Sequence, residues 1–83
     1  MRKSIHTNDY AVFLELLRGL RDRQGVLQVD LAKQLKAPQS FISKVENGER
    51  RLDVIELRNW CEALGVTFQA FCRDLDKALG KRR

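Results

Sequence analysis

Gln39, Ser40, Ser43 and Lys44 fall at i, i+1, i+4 and i+5 of a short segment that also carries Ile42 and Val45. On a helix the four polar residues share one face and the two apolar ones point away from it. Gln, Ser, Ser and Lys, with no carboxylate among them, supply hydrogen-bond donors and acceptors suited to base edges and phosphates. A merely solvated face has the same pattern, so the residues alone leave both readings open. The chain shows no paired carboxylates, no nucleophile beside a base and no cluster of metal ligands. No catalytic residue, cofactor or metal is assigned, and an enzyme is not expected. His6 is the lone histidine and has no partner in sequence, which makes it a solvated residue. Cys61 and Cys72 are eleven positions apart and form no CxxC pair, so they read as small buried hydrophobes and not as a zinc or disulfide framework.

The polar face needs elements to hold it. Residues 28–35 predict a helix with Leu31, Ala32 and Leu35 on one side, Ala32 being small enough for a close crossing. Lys36 and Ala37 make a turn, and Pro38 opens the next helix, 39–47, where its missing N–H is no loss. Asn47 and Gly48 stop that helix, and Arg50 and Arg51 follow in an exposed loop. Two short helices with a tight connection make a helix-turn-helix, and the remaining elements support it. Thr7 caps a first helix, 8–24, with Asp9 in its first turn and Phe13, Leu16, Leu17 and Leu20 in register. Gly25 ends it, and Arg21 lies at the edge of its apolar stripe. Asp53 and Glu56 form a capping-box pattern that opens a fourth helix, 54–64. Its buried stripe is expected at Val54, Leu57, Cys61 and Leu64, with Ile55 and Trp60 at the margins. After Gly65, Thr67 caps a fifth helix with Phe68, Phe71, Cys72, Leu75 and Leu79 on one face.

These elements make a compact all-α domain over residues 7–79, with no strand signal, repeat or low-complexity segment. Residues 1–6 are expected as a mobile arm and 80–83 as a basic tail. The 83 residues allow one modest core, and 43% hydrophobic with 33% charged residues is the composition of a chain that folds. Sixteen Lys and Arg against eleven Asp and Glu give a net charge of +5, which favours a polyanionic partner. No apolar run approaches the roughly 18 residues of a membrane span, and MRKSIHTNDY lacks the apolar region of a signal peptide, so a cytoplasmic protein with no membrane partner is expected.

From Leu16 to Leu75 the chain resembles the phage-repressor-type helix-turn-helix family, the Cro- and cI-like XRE proteins. The resemblance rests on four blocks in order: Gln28-x-x-Leu31-Ala32, Ile42-Ser43, Val45-Glu46-Asn47-Gly48-Glu49-Arg50-Arg51 and Ala63-Leu64-Gly65-Val66. It implies a five-helix lambda-repressor-like DNA-binding domain, with the helix-turn-helix at helices two and three. The resemblance further implies that Gln39, Ser40, Ser43 and Lys44 face bases in the major groove and that Gln39 is best placed for adenine. Gln28, Arg50 and Arg51 would touch phosphates, and Arg21 with Glu46 would form an ion pair between helix one and the end of helix three. The sequence departs from the family at three places. Leu27 stands where a Ser, Thr or Asn usually caps helix two, Lys36 replaces a turn glycine, and Phe41 is larger than the usual Thr. Phe41 packs against helix two or reaches a thymine methyl; packing is the first expectation.

One such domain reads few base pairs, so binding of double-stranded DNA as a homodimer on two half-sites about one helical turn apart (~34 Å) is expected. The apolar residues left for a dimer interface are Ile55, Trp60, Phe68 and Phe71, unless they complete the monomer core. A sequence-specific regulator, a repressor, is the leading function. An antitoxin that masks a toxin partner and a restriction-modification controller are the alternatives.

Overall fold

A computed structural model describes residues 7–80; the expected N-terminal arm, residues 1–6, and residues 81–83 of the expected tail lie outside the described residues. Five helices follow in order: α1 (Asn8–Arg23), α2 (Gln28–Leu35), α3 (Gln39–Glu46), α4 (Val54–Ala63) and α5 (Phe68–Gly80). Their boundaries follow from local chemistry. Thr7 Oγ1 accepts from the Tyr10 N–H at 3.1 Å, and Thr67 Oγ1 does the same for Ala70 at 3.0 Å. At α4 the capping box closes in both directions: Asp53 accepts from the Glu56 N–H at 2.7 Å, and Glu56 accepts from the Asp53 N–H at 3.0 Å. The last helix runs one residue further than the sequence suggests. Gly80 belongs to α5 and not to the tail, because a glycine lowers helix propensity without blocking the turn sterically.

The helix-turn-helix helices differ from these three. Neither Leu27 before α2 nor Pro38 before α3 offers a side-chain cap. Lys36 closes α2 in the left-handed region at φ 55°, a conformation that costs a non-glycine residue about 1–2 kcal/mol. Gly48 turns the chain after α3 at φ +79°, and a Cβ there would lie 3.2 Å from Leu14 Cδ1. The backbone angle favours glycine at that position, and a Cβ would press on the Leu14 side chain.

α2 packs on α3 and α4, while α1 packs on α5 and α3. The core between them is built from Leu17, Leu20, Leu31, Ala32, Ile42, Val45, Trp60, Cys61, Leu64 and Phe71. Burial corrects the stripe expected on α4. Val54 is 60% exposed, whereas Trp60 is 0% exposed, so the face that α4 buries is Leu57, Trp60, Cys61 and Leu64, one step around from the expected one. This is still an i, i+3, i+4, i+7 pattern. It leaves Val54 in the first turn, beyond the reach of the packing partners. Trp60 and Phe71, both candidates for a dimer interface, are completed inside the monomer; Phe71 is 4% exposed. Ile55, at 63%, is exposed and Phe68 is half-buried.

Burial pushes the Cys61 thiol up to about 11, which keeps it protonated and unreactive at neutral pH.

With the only tryptophan of the chain in the core, its fluorescence reports folding and not association. Emission should stay blue-shifted and unchanged on dilution from high to nanomolar protein. A red shift on dilution would return Trp60 to an interface. Trp60→Ala should cost about 3–5 kcal/mol in urea unfolding.

Candidate nucleic-acid interface

The side chain that organises the site is Glu46, at the last position of α3 and only 2% exposed. Arg21 on α1 grips it with two parallel bonds, Nε to Oε2 at 2.7 Å and Nη2 to Oε1 at 2.9 Å. The same guanidinium donates from Nη1 to the Val26 carbonyl at 2.8 Å, in the loop before α2. One arginine thus ties α1, the start of α2 and the end of α3. Its pairing with Glu46 raises the Arg21 pKa further above its ordinary value, so the cation is permanent. Arg18, one turn earlier, donates from Nη1 to the Glu46 backbone carbonyl at 2.7 Å. That carbonyl is among those a helix end leaves unpaired, and a cation there also opposes the helix dipole. No sequence pattern marks this contact, which the crossing of α1 over α3 creates.

Gln28 completes the set. Its Nε2 donates to Glu46 Oε1 at 3.0 Å, and its Oε1 accepts from Gln39 Nε2 at 3.3 Å. The direction of this chain is dictated by charge. A carboxylate only accepts, so Gln28 must present its amine to Glu46 and its oxygen to Gln39. Gln39 therefore spends one amine hydrogen on Gln28 and retains its Oε1 and a second N–H. This is the pair of groups that meets the N6 donor and N7 acceptor of adenine.

Gln39, Ser40 and Lys44 are exposed and Ser43 is half-exposed, on the side of α3 opposite the fully buried Ile42 and Val45. Of the four, Gln39 is hydrogen-bonded to Gln28 on α2. Beside them, the uncapped N-terminus of α2 leaves its first backbone N–H groups without a side-chain acceptor, a favourable position for an anion.

Both loop arginines are exposed, and both have partners in the structure. Arg51 is exposed, and its guanidinium carbon lies 6.0 Å from the centroid of the Tyr10 ring. Arg50 is engaged: Nη1 and Nη2 reach Glu56 Oε1 and Oε2 at 2.6 and 3.0 Å, and its guanidinium lies 4.8 Å over the Phe41 ring. Phe41 itself packs inward, its ring 6.1 Å from that of Trp60, which places it against α4 and not toward a thymine methyl. The hydrogen bonds from Arg50, with that from the Asp53 N–H, hold the Glu56 carboxyl below the usual carboxylate range.

The chain matches the helix-turn-helix family over residues 17–71. It belongs to that family, in its XRE branch, a class of DNA-binding transcriptional regulators. Among solved structures it is similar to an XRE-family like protein from Pseudomonas syringae pv. tomato str. DC3000. The two are 43% identical, with a TM-score of 0.83 over 93% of this chain and 94% of the other. It is also similar to a single-site mutant of the restriction-modification controller protein C.Esp1396I, at 25% identity and a TM-score of 0.80 over 93% of this chain and 98% of that one. Among characterised sequences it is 36% identical over 63 residues to the HTH-type transcriptional regulator PrpR of Mycobacterium tuberculosis. That match takes in 76% of this chain and spans 13% of the length of the regulator.

Removing one member of a buried ion pair leaves the other uncompensated, so Glu46→Ala should cost about 3–5 kcal/mol in urea unfolding. Arg21→Met combined with Glu46→Leu should recover most of that loss. A single variant within about 1 kcal/mol of the parent would remove the pair from its structural role.

Glu56 gives a pH dependence. Its folded pKa is lowered, so the stability it contributes is complete above the ordinary value of 4.5 and is lost as the pH falls through the folded value. Glu56→Gln should therefore flatten the acid limb of a thermal-melt series taken downward from pH 5. An unchanged limb would exclude Glu56 as its source.

Proposed function

We propose that this chain is a sequence-specific transcriptional repressor that reads the major groove with α3 and binds as a homodimer on a two-half-site operator. The observation that carries the reading is the directed chain from Glu46 through Gln28 to Gln39. A solvated polar face has no need for an orienting network anchored on a buried carboxylate. In this proposal Gln39, Ser40, Ser43 and Lys44 meet base edges, while Gln28 and Arg51 meet phosphates together with the N-terminus of α2. The net charge of +5 supplies the sequence-independent attraction. No described helix is long and apolar enough to cross a membrane.

Dimerisation is supported by the small reach of one reading helix. Exposed Ile55 and half-buried Phe68 are the remaining apolar candidates for the contact, now that Trp60 and Phe71 are accounted for in the core. Repression is the simplest outcome of occupying an operator. The restriction-modification controller is a second reading with one observation behind it: the solved controller shares the fold over 98% of its length.

The test is binding to a duplex selected from a random pool and to a scrambled duplex. Gln39→Ala and Ser43→Ala should weaken the first by about 1–3 kcal/mol and leave the second unchanged. Equal losses on both would reject the reading-face assignment. Arg51→Ala should weaken both duplexes alike and reduce the salt slope by about one.

A further inference from the structure

We infer that Arg50, whose place beside the reading helix suggests a phosphate contact, instead acts as a positioning residue that sets the pitch of α3 and so the sequence preference of the domain. The inference rests on the DNA-binding role proposed above. Three elements meet at its guanidinium. Both terminal nitrogens are held by Glu56 on α4, Nη1 also donates to the Arg51 carbonyl in the loop, and the flat face covers Phe41 on α3. Glu56 is not a mobile partner, because its Oε1 also accepts from the Asp53 N–H and is thereby part of the α4 cap. Phe41 also meets Trp60, the ring centroids 6.1 Å apart. The ring thus contacts both a core indole and a guanidinium whose orientation is set by the first turn of the next helix.

The geometry separates the two adjacent arginines. A planar cation with both terminal nitrogens committed to a carboxylate and one face against a ring has little left for a phosphate. To reach DNA it would have to leave both partners. What it does where it lies is press Phe41, two residues after Gln39 and two before Ser43, against the core. A shift of Phe41 turns α3 about its axis and moves Gln39 and Ser43 together. Glu56 is the second half of the same device, acting on α3 through Arg50.

Arg50→Ala, Arg50→Lys, Glu56→Gln and the Arg50→Ala/Glu56→Gln double variant, in the full 83-residue chain, test this. Gln retains an acceptor for the capping box, so Glu56→Gln removes the ion pair without removing the cap. Affinity for a duplex selected by the parent protein, and for a scrambled one, is measured between 50 and 200 mM salt, with circular dichroism to verify folding. Each single variant should lower the ratio of selected to scrambled affinity about three- to tenfold, and the double variant should be no worse than either, because the two residues act as one unit. The salt slope should remain that of the parent. Lysine should not rescue, since it can neither bond in parallel nor stack.

Arg50→Ala with equal losses on both duplexes and a slope lower by about one would overturn the inference and restore a phosphate contact. So would tighter binding by Glu56→Gln, which would mean that the carboxylate had been withholding Arg50 from DNA. If the parent itself selects no duplex, the DNA-reading proposal fails and this one falls with it; if the parent discriminates and only the Arg50 pattern is wrong, the first survives.

Discussion

A carboxylate with 2% exposure at the end of an eight-residue helix is the constraint on which the rest of this domain depends. Desolvating Glu46 is costly unless its oxygens are fully matched, and the protein matches them with Arg21 and Gln28. Those partners come from α1 and from the first residue of α2, so satisfying one charge fixes the relation among three helices. Apolar contacts at Ile42, Val45, Leu31 and Ala32 supply most of the burial, but they are non-directional. A small core of this kind could tolerate α3 rotated by several degrees. The two parallel bonds from Arg21 cannot, and that is how the ion pair confers orientation whatever its net contribution to stability.

The same carboxylate reaches the surface through its hydrogen bonds. Because Glu46 can only accept, the amide of Gln28 has one permitted orientation, and Gln39 inherits a donor and an acceptor in a defined arrangement. Buried electrostatics and the proposed base-reading surface are thus successive links of one chain. A second arrangement involves Phe41 of α3, which contacts Trp60 and Arg50, and Arg50 is held by Glu56. The helix is thus tied to its neighbours at both Glu46 and Phe41. The helices whose N-termini have side-chain caps are α1, α4 and α5; α2 and α3, which carry the proposed interface residues, have none.

Much of this was legible in the residues because it is local. The spacing of Leu31, Ala32, Ile42 and Val45 defines α2 and α3, and the Asp53 and Glu56 pair marks the start of α4. The joining of Arg21 to Glu46 came from resemblance to a family, since residues 25 positions apart leave no periodic signal. What was misjudged depends on tertiary placement. Trp60 was set at the margin of α4 because Val54 looked like the first member of the stripe. Yet Val54 is 60% exposed, so the stripe begins at Leu57 and takes in the indole. Phe71 was likewise a candidate for an interface because its helix has an apolar face wider than the sequence can apportion between core and partner. For Arg50 the family resemblance implies a phosphate contact, and the fold adds that the helix after its loop brings a carboxylate back to it.

The central claim is that the outward face of α3, oriented from Glu46, is the surface that meets DNA. Titrating isotope-labelled protein with a selected duplex while following amide resonances tests it most directly. The account predicts shifts concentrated at the side-chain amides of Gln28 and Gln39 and the backbone from Gln39 to Lys44, with α5 unaffected. Shifts confined to α4 and α5, with the Gln28 and Gln39 amides unmoved at saturation, would contradict it.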